Sequence, residues 1–212
     1  MKPEKTLYGS TFSILGDSYA TFRGFVTEGR PCYYPNPEKV DDVLAVEDTW
    51  WHQLMQRNSM RLITNDSYSG ATVCTTVRDK QPLSSAFTER AKYSFSGDTQ
   101  PDYIFVFGGT NDSWLERPIG QTKFTDRTEE DLKQMLPAYC EVLEYIQQYN
   151  PQATMVAVLN TDLHPDIHAG ILKAAEHYGV IAVELKRIDK QNGHPSALGM
   201  RQITDQIEQA LK

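Results

Sequence analysis

Basic blocks are absent from this sequence, and so is any excess of positive charge. Its 21 Lys and Arg stand against 28 Asp and Glu, a formal net charge of −7 over 212 residues. A protein that binds a phosphate backbone gathers lysine and arginine on one face, so nucleic acid is excluded as the main partner. No apolar run approaches the ~20 residues that a membrane-spanning helix needs. The N-terminal stretch MKPEKTLYGS also lacks the apolar centre of a secretory signal. These features lead us to expect a soluble protein, either cytoplasmic or exported with its signal removed, and leave the compartment open. Cysteine is scarce: Cys32, Cys74 and Cys140 are odd in number, widely spaced and without a C-x-x-C pair. That suits neither a disulfide framework nor a thiolate zinc site. His164 and His168 have the spacing of a helical metal pair, but no third ligand is placed, so they read as surface histidines and no metal is expected. There is no phosphate-binding glycine loop, no dinucleotide fingerprint and no G-x-S-x-G elbow. Repeats, low-complexity tracts and linkers are missing as well, and the chain reads as one domain over residues 1–212.

What is present is alternation. Short apolar runs at Thr11–Leu15, Met60–Thr64, Tyr103–Phe107, Thr154–Leu159 and Val180–Leu185 are separated by helical patterns. Runs such as YIFVF and TMVAVL are apolar on both faces, as strands of a buried parallel sheet must be. Helices are predicted over Thr49–Arg57, Glu129–Tyr149, Ile167–Tyr178 and Ala197–Leu211, with an unassigned helix somewhere in 76–96. With right-handed crossovers this order gives a three-layer α/β/α sandwich around a five-stranded, mostly parallel sheet. Two segments do not fit the alternation, 29–48 and 113–127, and both leave the carboxyl end of a strand. Loops of that length are commonly functional, and their Tyr33, Tyr34 and Trp114 suggest ordered walls of a site.

Ligands of open α/β sheets bind beyond the strands' carboxyl ends, and here those ends are polar. Ser18 follows the first strand on Gly16-Asp17, where a tight turn can hold up a hydroxyl beside its own backbone N–H. The same tripeptide also suits an ordinary β-turn. Gly108-Gly109-Thr110-Asn111-Asp112 follows the third strand, its glycines permitting close backbone approach and Asn111 offering a donor that never changes charge. Gly70 can present a further N–H after the second strand. His194, between the last strand and the last helix, can act as a general base. Tyr19, Asp112 and Trp114 flank these positions and are the candidate substrate contacts.

Four blocks together resemble the SGNH hydrolase superfamily, the GDS-type esterases and lipases. They are Ile14-Leu15-Gly16-Asp17-Ser18, Asn65-Asp66-Ser67-Tyr68-Ser69-Gly70, Gly108-Gly109-Thr110-Asn111-Asp112 and Gly193-His194-Pro195-Ser196-Ala197-Leu198-Gly199, in the family's order from residue 14 to 199. The resemblance implies a flavodoxin-like fold and serine-dependent ester hydrolysis without a cofactor or metal. It casts Ser18 as nucleophile, His194 as base, and Ser18 N–H, Gly70 N–H and the Asn111 side chain as the oxyanion hole. One position departs from the pattern. The family's aspartate three residues before the histidine is Gln191 here, and Asp189 lies two residues earlier. Asp189 is the expected third catalytic residue, reaching the ring through a slightly longer loop; Gln191 or a backbone carbonyl comes next, and a Ser–His dyad is the further option. The substrate expected is a small ester, of short acyl groups such as acetyl on a sugar or other polar alcohol. Lysophospholipase or thioesterase chemistry, and a flavodoxin-like binding module without turnover, are the alternatives. The sequence sets no oligomeric state.

Overall fold

The computed structural model describes residues 6–39 and 41–212; residues 1–5, part of the stretch read for a signal, and Val40, in the 29–48 loop, lie outside them. Five strands form one sheet: β1 (Thr11–Gly16), β2 (Arg61–Ser67), β3 (Tyr103–Phe107), β4 (Thr154–Leu159) and β5 (Ile181–Glu184). Their spatial order is β2-β1-β3-β4-β5 and every pairing is parallel. The chain leaves β1 towards β2 on one side and returns past it to β3 on the other. That reversal opens a crevice beyond the carboxyl ends of β1 and β3, where doubly wound sheets hold their ligands.

The apolar runs explain the layers. Along β3, Ile104 and Val106 face a core shared with α2 (Phe87–Ser94), α4 (Met135–Tyr149) and α5 (Pro165–Tyr178). Tyr103, Phe105 and Phe107 face the opposite core, with α1 (Trp50–Arg57) and α6 (Ala197–Ala210). Both faces are therefore covered, and the strand needs no polar side. Each fully buried large side chain contributes about 1.5–3 kcal/mol, and Trp50, Trp51, Phe105 and Phe107 are all in that class. Among the described residues no helix is long and apolar enough to cross a membrane.

Three elements differ from the sequence expectation. The helix predicted from Glu129 starts at Met135, after a 3₁₀ turn at Asp131–Lys133 and an extended Gln134. Pro137 accounts for this: it is tolerated in the first turn, where its missing N–H has no partner to lose, but not deep inside a helix. The 113–127 loop opens with part of a short helix, α3 (Thr110–Trp114). The last strand is followed by a small hairpin that the sequence reading does not include, β6 (Lys190–Gln191) paired with β7 (His194–Pro195). Its turn is Asn192-Gly193 with φ of 50° and 78°, the left-handed pair that a tight two-residue hairpin demands and that Asn-Gly supplies.

Candidate active site

The end of β1 delivers Ser18 into the crevice. Asp17 caps the 3₁₀ turn Ser18–Ala20 by accepting the Tyr19 N–H at 3.0 Å, and Asp17 N–H donates to the Phe107 carbonyl, tying this turn to the end of β3. The hairpin β6–β7 presents His194 from the other side. Its Nε2 lies 2.9 Å from Ser18 Oγ, and its Nδ1 lies 3.2 Å from the Asn192 carbonyl. Nδ1–H donating to that carbonyl leaves Nε2 as the acceptor for the serine proton.

Asp189, the residue expected to orient the ring, is turned away from it. Its carboxylate accepts from Ser196 Oγ, its N–H donates to Gln202 Oε1 at 2.7 Å, and its carbonyl accepts from Ser196 N–H at 3.1 Å. The residue is thus tied on all three groups to the start of α6. The atom that faces His194 Nδ1 is a backbone carbonyl, one of the options the sequence leaves open.

Asn111 sits in the first turn of α3, just after β3, and is 4% exposed; its Nδ2 has no hydrogen-bond partner among the described residues. Gly70 follows β2 with φ of 84°, a left-handed backbone that favours glycine; the atom nearest to where a Cβ would sit is the end of the flexible Gln81 side chain. Two of the candidate substrate contacts prove to be internal. Asp112 is fully buried, and its carboxylate accepts the Val73 N–H at 2.9 and 3.1 Å and the Cys74 N–H at 3.3 Å. It ties the third block to the segment just after Gly70. Burial pushes its carboxyl upward, and the amides oppose that. Tyr19 is also fully buried, donating from its hydroxyl to the Gly193 carbonyl at 2.6 Å and accepting from Asn160 Nδ2 at 3.3 Å. It props the histidine turn from within. Trp114 is 43% exposed and meets His194 edge-on at 5.7 Å.

Sequence reasoning names Tyr33 and Tyr34 as walls of a site but not their role at His194, and it misses Arg90 and Arg30. Tyr33 stacks face to face on His194, and Tyr34 donates from its hydroxyl to the Pro195 carbonyl at 2.7 Å. Arg90, 1% exposed, donates to the Gly16 carbonyl at 3.0 Å and the Ser85 carbonyl at 2.8 Å, and pairs with buried Asp66. Arg30, from the 29–48 loop, pairs with the same carboxylate. The only sequence signal available for any of these was the aromatic content of that loop. His168 pairs with Glu184 at 3.1 Å, and His164 Nδ1 accepts the Asp166 N–H at 3.2 Å.

Over residues 10–211 the chain matches the GDSL-like lipase/acylhydrolase family. The chain belongs to that family. No curated protein matched it. Among solved structures, one described as a GDSL-like lipase from Bacteroides uniformis is 38% identical with a TM-score of 0.88, covering 95% of this chain and 94% of its own. A second, from Bacteroides ovatus and described in the same terms, is 36% identical with a TM-score of 0.88, covering 95% and 97%. An acetyl xylan esterase from Butyrivibrio proteoclasticus shares the fold at 18% identity and a TM-score of 0.62, covering 95% of this chain and 63% of its own.

The GDS block of this family member carries a testable titration. Asp17 is fully buried, and burial pushes its carboxyl up to about 7, against the lowering effect of the Tyr19 N–H. The folded protein therefore holds a proton that the unfolded chain has released between roughly pH 4 and 7. This contribution to stability is complete below that window and is lost as pH rises through it. Asp17→Asn keeps the acceptor for Tyr19 and removes the titration. Urea unfolding at pH 4.5 and 8 should show the wild type losing on the order of 3 kcal/mol relative to the variant. Parallel behaviour of the two proteins would contradict the assignment.

Proposed function

We propose that the protein is a serine esterase that hydrolyses carboxylic esters through an acyl-enzyme. The observation that carries this reading is the 2.9 Å contact between Ser18 Oγ and His194 Nε2 at the mouth of the crevice. His194 takes the hydroxyl proton as Ser18 attacks the ester carbonyl, then returns it to the departing alcohol. Water, activated by the same imidazole, releases the acid. Ser18 N–H, Gly70 N–H and Asn111 Nδ2 hold the oxyanion of each tetrahedral intermediate. The Asn192 carbonyl fixes the imidazole's tautomer, the role that the carboxylate of Asp189, bound to Ser196, does not take.

The substrate reading is a short acyl group, acetyl in size, on a carbohydrate or other polar alcohol. Ser18 is only 3% exposed, and aromatic rings crowd His194, which leaves little room for a long acyl chain. The exposed Trp114 beside His194 gives the alcohol a flat wall of the kind that stacks on a sugar.

A panel of p-nitrophenyl esters of increasing acyl length, with acetylated sugars beside it, tests both parts. Acetate should be the best acyl group and Ser18→Ala should abolish turnover. Asp189→Ala should lose less than about tenfold in kcat, since its carboxylate faces Ser196. A preference for long chains would sink the substrate reading, and turnover by Ser18→Ala would sink the mechanism.

A further inference from the structure

We propose that Tyr33 is a positioning residue for the histidine base, holding the imidazole plane by stacking and supporting its positive charge. The proposal rests on the reading of His194 as base. The two rings lie with centroids 3.4 Å apart and planes 6° from parallel. The imidazole's N–H and lone pair point outward in the ring plane, and its two nitrogens meet Ser18 Oγ and the Asn192 carbonyl. A ring laid flat on one face permits those directions and resists rotation away from them. Tyr19 at 5.4 Å, Trp114 at 5.7 Å and Tyr34 at 6.4 Å surround the same imidazole.

The stacking ring is itself tightly held. Tyr33 N–H donates to Thr21 Oγ1 at 2.9 Å, and that hydroxyl donates to the Ser18 carbonyl, also at 2.9 Å. The next residue reaches the other partner: Tyr34 donates from its hydroxyl to the Pro195 carbonyl, while its own carbonyl accepts the Arg23 N–H at 3.0 Å. The Tyr33-Tyr34 pair is therefore a strut, bonded on one side to the nucleophile's turn and on the other to the residue after His194. It sets the spacing between serine and histidine from the 29–48 loop, outside the sheet. When His194 takes the serine proton, the charge develops against the face of Tyr33, where a cation is attracted by the ring's quadrupole. That attraction adds to what the Asn192 carbonyl supplies.

Tyr33→Phe, Tyr33→Leu and Tyr33→Met test this, with unchanged urea unfolding as the check on fold; Met replaces Leu should the latter fail to fold. The first readout is the NMR shift of the His194 Cε1 proton, which a stacked ring moves upfield whether or not the protein turns over. It should match wild type in Tyr33→Phe and move downfield in the aliphatic variant. The second is hydrolysis of p-nitrophenyl acetate. Tyr33→Phe should stay within about twofold of wild type, and the aliphatic variant should lose about tenfold in kcat with KM unchanged. Wild-type hydrolysis with an unaffected aliphatic variant, or a loss confined to KM, would overturn this proposal alone. No hydrolysis by the wild type would overturn the esterase reading and this proposal with it.

Discussion

Asn111→Ala should lower kcat on p-nitrophenyl acetate about 10²–10³-fold, equivalent to about 2.7–4 kcal/mol, with KM little changed. The side chain is almost wholly buried, and its Nδ2 has no partner among the described residues. An unsatisfied buried donor ordinarily costs about 1–3 kcal/mol, so proteins rarely keep one without a use. In the proposed mechanism the use is transient, because the donor gains its acceptor only when the ester oxygen becomes an oxyanion. Two expectations follow together, and the pair is more informative than either. The variant should lose rate, yet be no less stable to urea than the wild type, since alanine removes a donor that the fold leaves unpaired. Wild-type turnover by Asn111→Ala would remove the residue from the oxyanion hole. A large loss of stability would mean the amide has a structural partner instead.

Arg90→Met should destabilise the protein by about 3–5 kcal/mol, the usual cost of removing one partner of a buried ion pair. The guanidinium lies at the end of β1, two residues before Ser18, and is 1% exposed. It reaches the carbonyls of Gly16, Asp66 and Ser85 and the Asp66 carboxylate, and lies over the Phe87 ring at 4.4 Å. Burial pulls its pKa down to about 9, a sign that desolvation outweighs the help of its partners. Methionine fills much of the volume but offers no donor, so three buried carbonyls and a carboxylate lose a partner. Lysine should rescue poorly, because one ammonium cannot serve groups lying in several directions. Adding Asp66→Asn to Arg90→Met should recover part of the loss by removing a buried charge that has lost one of its two arginine partners. The measurement is the urea midpoint of each protein; a change below about 1 kcal/mol would show that Arg30 and Ser94, which also reach the Asp66 carboxylate, satisfy it without Arg90.

The sheet was legible because a buried parallel strand has little freedom in what it can be. Tyr103–Phe107 and Thr154–Leu159 are found with the boundaries their apolar runs suggest. Boundaries failed where one residue outweighed the pattern, as Pro137 does at the start of α4. The four polar blocks could be read because each sits next to a strand end, and strand ends are where the sequence pattern breaks. What could not be read was which polar side chains look outward. Asp112 and Tyr19 are adjacent in sequence to Asn111 and Ser18, but helical and 3₁₀ geometry turns them inward, onto backbone groups from distant segments. Tyr33 stands 161 positions from His194, and no local pattern connects an aromatic loop to one imidazole. Asn192-Gly193 was a readable hairpin signal, and it fixes both the placement of His194 and the carbonyl that faces Nδ1.

Covalent labelling with a fluorophosphonate reads out the nucleophile itself. After reaction of the intact protein, peptide mass spectrometry should find one stoichiometric adduct, on Ser18, and none in Ser18→Ala or His194→Ala on the same timescale. An unlabelled wild type, or an adduct on any other residue, would contradict Ser18 as the nucleophile and with it the hydrolytic mechanism.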